Sequence, residues 1–175
     1  MVRLKVPASM HIPANTPMPT VSLREITSST VRKVCRLKVS PDQEQFVAAN
    51  AFSLAEALFA PEAWYRAVYA DEIIAGFVML WDDTLSKTPP AMPEICLWRL
   101  MLGAEYQRQG IGKQVLAEVI RYVQGRPGIT RFYTSYVPGE RGPEKFYRSL
   151  GFVPTGAVDE DGEIVIVYPL HSSAA

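Results

Sequence analysis

Apolar residues recur at helical spacing most clearly in one stretch, at Ile111, Val115, Leu116, Val119, Ile120 and Val123. Lys113, Gln114, Glu118, Arg121 and Gln124 fall on the other side, and Gly125 follows as a stop, so the period predicts an amphipathic helix. Before it, residues 95–102 form an apolar run of strand length without Gly or Pro. Between the two lies Gln107-Arg108-Gln109-Gly110-Ile111-Gly112-Lys113, a glycine-bearing turn running from a buried strand into a helix start.

Two-residue alternation or β-rich composition predicts further strands at 21–26, 64–69, 73–81 and 131–136, and a closing pair at 152–158 and 163–170 around Asp161-Gly162. Asp71-Glu72 turns 64–69 into 73–81, where Gly76 signals a bulge or a close backbone approach. Shorter helices are expected after Thr27-Ser28-Ser29, with Val31, Val34, Cys35 and Leu37 as the apolar set, and again after Pro41. Ser53 and Glu56 have capping-box spacing and predict a helix opening over 54–59. Pro143 suits the first position of a last helix carrying Phe146, Tyr147 and Leu150, ended by Gly151 with Phe152 as its hydrophobic contact. Residues 82–93 read as a surface loop, 1–20 as a Pro-rich loose or docked extension, 21–170 as the domain, and 171–175 as a frayed tail.

Composition narrows the function classes. The 175 residues suit one domain with a proper core, and 48% of them are hydrophobic. Lys+Arg and Asp+Glu both number 18, so no basic excess points to nucleic acid or to general membrane attraction. No apolar run reaches membrane-span length. Cys35 and Cys96 have neither disulfide-framework nor metal spacing, and a reducing cytoplasm is the expected compartment.

A helix start offers unpaired N–H groups and the positive end of the dipole, and glycines let an anion approach the backbone. The turn is therefore a candidate phosphate cradle. A P-loop would need Gly where Gln107 stands and Ser or Thr where Gln114 stands, so that reading fails. A dinucleotide fingerprint fits Gly110 and Gly112 but places Val115 where a small residue is needed. The pattern Q/R-x-x-G-x-G/A is filled by Gln107, Gly110 and Gly112. That set resembles the acyl-CoA-binding motif of the GCN5-related N-acetyltransferases, although an ordinary strand–turn–helix would also use two glycines.

A second landmark supports the resemblance. The stretch 143–152, Pro-Glu-Lys-Phe-Tyr-Arg-Ser-Leu-Gly-Phe, is similar to that family's closing helix with Phe-Tyr and Leu-Gly-Phe, in the family's order after one intervening strand. Gln45-Phe46-Val47, Asn50, Ser53, 76–79, Trp98-Arg99, Met101 and Pro138-Gly139 resemble the bacterial spermidine and diamine acetyltransferase branch.

The resemblance implies an α/β (α+β) fold, a mostly antiparallel mixed sheet of about seven strands flanked by helices and splayed at the fourth and fifth strands. It implies acetyl-CoA as cosubstrate and no metal. Leu100, Met101 and Leu102 would pair with pantetheine through the main chain, and Gln107, Arg108, Gln109, Gly110, Ile111, Gly112 and Lys113 would hold the pyrophosphate mainly through backbone amides. Tyr147 would be the general acid, against a core tyrosine as the bland reading. Asp82, Glu94 and Arg99 are candidates for the acceptor side, with Asp83 beside them, and no base is identified. Glu140 stands where many relatives carry an Asn that contacts the cofactor, so that contact is not carried over. A covalent route through Cys96 would need a nearby base, whereas the histidines, His11 and His171, are terminal, so direct attack is preferred. The expected reaction is acetylation of a small primary amine, by hypothesis a polyamine such as spermidine. The alternatives are another amine (antibiotic, amino acid or protein N-terminus), an acyl-CoA-binding sensor without turnover, and, lower, a nucleotide-binding domain. Homodimerisation is common in that family.

Overall fold

The computed structural model describes residues 18–140 and 142–170; the remainder of the expected extension and the tail after Leu170 lie outside the described residues. Seven strands form one sheet: β1 Val21–Arg24, β2 Ala63–Ala70, β3 Ile73–Asp82, β4 Glu94–Leu102, β5 Arg131–Tyr136, β6 Val153–Val158 and β7 Ile164–Tyr168. Their order is β1-β2-β3-β4-β5-β7-β6, and every neighbouring pair is antiparallel except β4 with β5. This is the expected mixed sheet. Short helices α1 Val31–Arg36 and α2 Asn50–Ala57 precede β2, α3 Ile111–Gln124 connects β4 to β5, and α4 Glu144–Ser149 connects β5 to β6. α3 supplies the helical crossover that a parallel strand pair requires.

β3 is apolar on both sides because both of its faces are covered. Val78 and Leu80 join the cluster under α3, with Val115, Leu116, Val119, Val123, Ile95 and Phe132. Phe77 and Met79 point the other way, against Val34 of α1 and Leu54 and Ala57 of α2. The buried stripe of α3 is Ile111, Val115, Leu116, Val119 and Val123, each worth about 1.5–3 kcal/mol when fully buried. Two bulges shape the middle of the sheet. Ala75 is the extra residue between the pairs Val68 with Gly76 and Tyr69 with Ile74, and Trp98 is the extra residue between Arg99 with Met79 and Leu97 with Leu80. β3 and β4 approach closely at Gly76: a Cβ there would lie 2.4 Å from the Met101 carbonyl oxygen.

One local expectation fails. α2 begins at Asn50, not after Ser53, and no side chain caps it. Asn50 Nδ2 donates to the Val34 carbonyl at 2.9 Å, which ties the helix start to α1, and Ser53 is buried within the helix. Glu56 cannot complete a capping box because its carboxylate faces Arg99 at 3.4 Å. The segment after Pro41 is a 3-10 helix, Pro41–Phe46.

Candidate active site

The single parallel pair is also a short seam. β4 and β5 are registered only at Glu94 with Arg131, Ile95 with Phe132 and Cys96 with Tyr133. The Thr134 hydroxyl then donates to the Leu97 carbonyl at 2.8 Å. Beyond that point, residues 98–102 of β4 and 134–136 of β5 line opposite walls of a cavity of about 1110 Å³. A strand that leaves its neighbour in this way exposes main-chain groups that an extended ligand can use.

The turn after β4 reaches the same cavity. Gly110 is the residue before α3 and has φ 78°, in the left-handed region where glycine is favoured, and Arg108 shares that region at φ 60°. The side chain of Gln107 bends back, Nε2 donating to the Leu102 carbonyl at 3.0 Å, so the turn is pinned to the end of β4. The first amides of α3 have no partner within the helix. Gln107, Arg108, Gly110, Gly112 and Lys113 line the cavity, as do Leu100, Met101 and Leu102. Gln109 and Ile111 do not. Gln109 donates to the Glu105 carbonyl at 2.6 Å, and Ile111 points into the core. A methyl group at Gly112 would meet the Phe146 ring at 3.1 Å, so the turn and α4 are in direct contact. Glu140 lies in an adjoining recess with Gln107 and Arg108.

Tyr147 stands on α4, which is short but firmly ended. Gly151 N donates to the Arg148 carbonyl and Phe152 N to the Tyr147 carbonyl, at 3.1 and 3.2 Å, with Gly151 at φ 94°. This is a Schellman end with Phe152 as its hydrophobic contact. Tyr147 borders the cavity and packs against the rings of Tyr136, Phe146 and Phe152. Burial pushes its hydroxyl up to about 12, opposed by a hydrogen bond with Thr134, while Cys96 and Glu163 raise it further. The phenol therefore keeps its proton at neutral pH. Burial likewise pushes the Cys96 thiol up to about 12, which leaves almost no thiolate for a covalent route.

The three acceptor-side candidates separate. Arg99 borders the cavity, its guanidinium donating to the Trp98 carbonyl at 2.8 Å and facing Glu56 at 3.4 Å. Asp82 does not reach it. Asp82 is fully buried, accepts from Tyr122 Oη at 2.6 Å and from the Thr84 backbone N–H and hydroxyl, and faces Arg126 Nε at 3.1 Å. It clamps the end of β3 to α3, and Asp83 bonds Trp81 Nε1 and the Glu94 N–H nearby. Glu94 pairs with Arg131 at 3.4 Å on the closed end of the seam and is also outside the cavity. The acids that do line it are Glu44, Glu56, Asp159, Asp161 and Glu163. No local motif marks them; only the sheet order could have brought the β6–β7 turn to this cavity. Among the described residues no group of three or more His, Cys, Asp or Glu side chains gathers as a metal site.

The model of the acetyltransferase (GNAT) domain matches residues 60–154, more than half of the chain. The chain belongs to the GNAT acetyltransferase family. A comparison with curated proteins gives no match. Solved structures share the acetyltransferase fold at low identity. Arabidopsis thaliana Naa50, bound to the bisubstrate analogue CoA-Ac-MVNAL, is 21% identical with a TM-score of 0.59, over 86% of this chain and 99% of that one. AAC(6')-Ib, in complex with paromomycin and acetyl-CoA, is 16% identical with a TM-score of 0.67, over 85% and 93%. The PaiA N-acetyltransferase of Thermoplasma acidophilum, in complex with coenzyme A, is 15% identical with a TM-score of 0.59, over 86% and 99%. In this GNAT chain no described helix is long and apolar enough to cross a membrane.

Proposed function

We propose that the chain transfers acetyl from acetyl-CoA to a primary amine of a small cationic molecule, a polyamine such as spermidine being the first to test. The observation that carries this reading is the convergence, on one cavity, of the open β4 wall, the glycine turn and the protonated phenol of Tyr147. In this reading the main chain of Leu100, Met101 and Leu102 pairs with pantetheine, and the amides that follow Gly110 receive the pyrophosphate. Arg108 and Lys113 add positive charge, while the side chains of Gln109 and Ile111 shape the turn. The amine attacks the thioester directly, and Tyr147 gives its proton to the departing thiolate. Two neighbours bind acetyl-CoA or coenzyme A, and a third holds a bisubstrate analogue, which supports the cofactor assignment. The carboxylates of the cavity favour a cationic acceptor over an anionic one. Two free thiols suit a reducing cytoplasm.

The test is release of CoA from acetyl-CoA with spermidine, spermine, putrescine and a panel containing aminoglycosides, amino acids and N-terminal peptides. Turnover of polyamines supports the whole reading. Turnover of another amine alone keeps the reaction and rejects the polyamine. Tight acetyl-CoA binding with no turnover on any amine replaces the enzyme by an acyl-CoA sensor.

A further inference from the structure

The cavity contains five carboxylates, and four are committed elsewhere or open to water. Glu56 is paired with Arg99. Asp159 is spent on its own turn, where Oδ1 accepts the N–H groups of Asp161 and Glu163 at 3.1 and 2.9 Å. Glu44 and Asp161 are exposed. Glu163 differs. It is half-buried just before β7, lines the cavity, and has no cation within ion-pair distance among the described residues. Its one side-chain hydrogen bond is from Ser135 Oγ, which donates to Oε2 at 2.6 Å and fixes the carboxylate against β5. The main chain behind it is held by the Asp159 turn, with Asp159 N donating to the Glu163 carbonyl at 3.0 Å.

A carboxylate that lines a cavity without a cation beside it among the described residues offers a seat to a cationic ligand. The negative charge of Glu163 also helps to raise the Tyr147 phenol and the Cys96 thiol, which line the same cavity. Arg99 and Glu56 across the cavity form a neutral pair, and Asp159 and Asp161 extend the negative charge toward solvent.

We infer that Glu163 seats the acceptor's ammonium and takes its first proton, so that it is the general base of the transfer; this rests on the acetyltransferase reading above. The step balances as follows. The ammonium gives one proton to the Glu163 carboxylate, and the free amine lone pair forms a C–N bond to the thioester carbonyl carbon. The C–S bond breaks, and the thiolate takes the Tyr147 proton. The nitrogen loses its second proton through solvent, which restores the Tyr147 phenol, and Glu163 releases its proton to water. The sum is ammonium plus thioester giving amide, thiol and one proton.

Glu163→Gln keeps the size of the side chain and an oxygen for Ser135 while removing charge and basicity. The experiment compares kcat/KM of the wild type and Glu163→Gln for the best cationic amine of the panel and for primary amines that are neutral at the assay pH, 2,2,2-trifluoroethylamine and aminoacetonitrile. The acetyl-CoA Kd is measured in parallel and should stay within about threefold. The expected loss is about 10²–10⁴-fold on the cationic amine, the usual worth of a positioned base, and under about tenfold on the neutral ones. Refusal of neutral amines by the wild type also supports the seat, because the site then demands a cation. Ser135→Ala removes the bond that orients the carboxylate but keeps its charge and basicity, and should cost no more than about tenfold. A loss under about threefold for Glu163→Gln, an equal loss on both amine classes, or a Ser135→Ala loss as large as that of Glu163→Gln overturns the assignment. A wild type that binds acetyl-CoA and acetylates nothing fails at the acetyltransferase reading instead, and the base falls with it.

Discussion

Replacing Tyr147 by Phe separates two consequences of one buried hydroxyl. As general acid, Tyr147 should contribute about 10²–10⁴ to kcat, whereas acetyl-CoA binding, proposed above to use the turn and the β4 main chain, should change little. The same hydroxyl sets a dependence of stability on pH. Burial raises it from 10.0 to about 12, so the folded state holds the proton more tightly than the unfolded state. The stability linked to it is fully present below pH 10 and is lost as pH climbs through 12. The two-unit difference corresponds to about 2.7 kcal/mol once both states are ionised, and about half of that is gone at pH 11. The Phe variant has no ionisable group at this position, so it lacks this pH dependence. Urea midpoints of the two proteins, measured from pH 8 to pH 11, should show the wild type losing about 1.4 kcal/mol relative to the Phe variant. A gap that stays constant over that range refutes the buried, proton-retaining phenol. A kcat within about tenfold of the wild type refutes the acid.

Gly76→Ala should lower stability by at least about 1–3 kcal/mol, because the added Cβ would sit 2.4 Å from the Met101 carbonyl oxygen and 2.6 Å from Leu102 Cδ2, and a backbone carbonyl cannot turn aside. At about 2–4 °C per kcal/mol for a chain of this size, thermal melting reads the change directly, and an unshifted Tm would contradict the close approach. Asp82→Ala leaves the Arg126 guanidinium without its buried carboxylate and should cost about 3–5 kcal/mol. Below its lowered Tm the variant should keep the wild-type KM for the amine, and a selective rise in that KM would return Asp82 to the acceptor site.

The parts of the fold that were legible in the sequence are those whose own period and punctuation decide them. The β2–β3 hairpin around Asp71-Glu72, the stripe of α3 and the Gly151-Phe152 end of α4 all depend on neighbours close in sequence. Ser53 misleads because Asn50 finds the Val34 carbonyl 16 residues away, and that tertiary bond, together with the Glu56–Arg99 pair, outweighs local capping. Asp82 reads as a loop acid until Tyr122 and Arg126, some 40 residues later, close over it. Glu163 escapes notice for the opposite reason: it sits in an ordinary hairpin turn and becomes interesting only when β7 is placed beside β5.

The contact between Gly112 and the Phe146 ring joins two parts of the site that the chain separates by 34 positions. Phe146 precedes Tyr147 directly, so the turn proposed to hold the cofactor's phosphates and the helix that carries the phenol lean on one another. A ligand that stiffens the turn has less freedom left to remove from α4, and a well-ordered α4 offers the ligand a readier turn. Such influence is mutual by thermodynamic necessity, with the same factor in both directions. With the turn in its proposed role, affinity for coenzyme A and order at the phenol are two readings of one equilibrium, and a methyl group at Gly112 would disturb both at once.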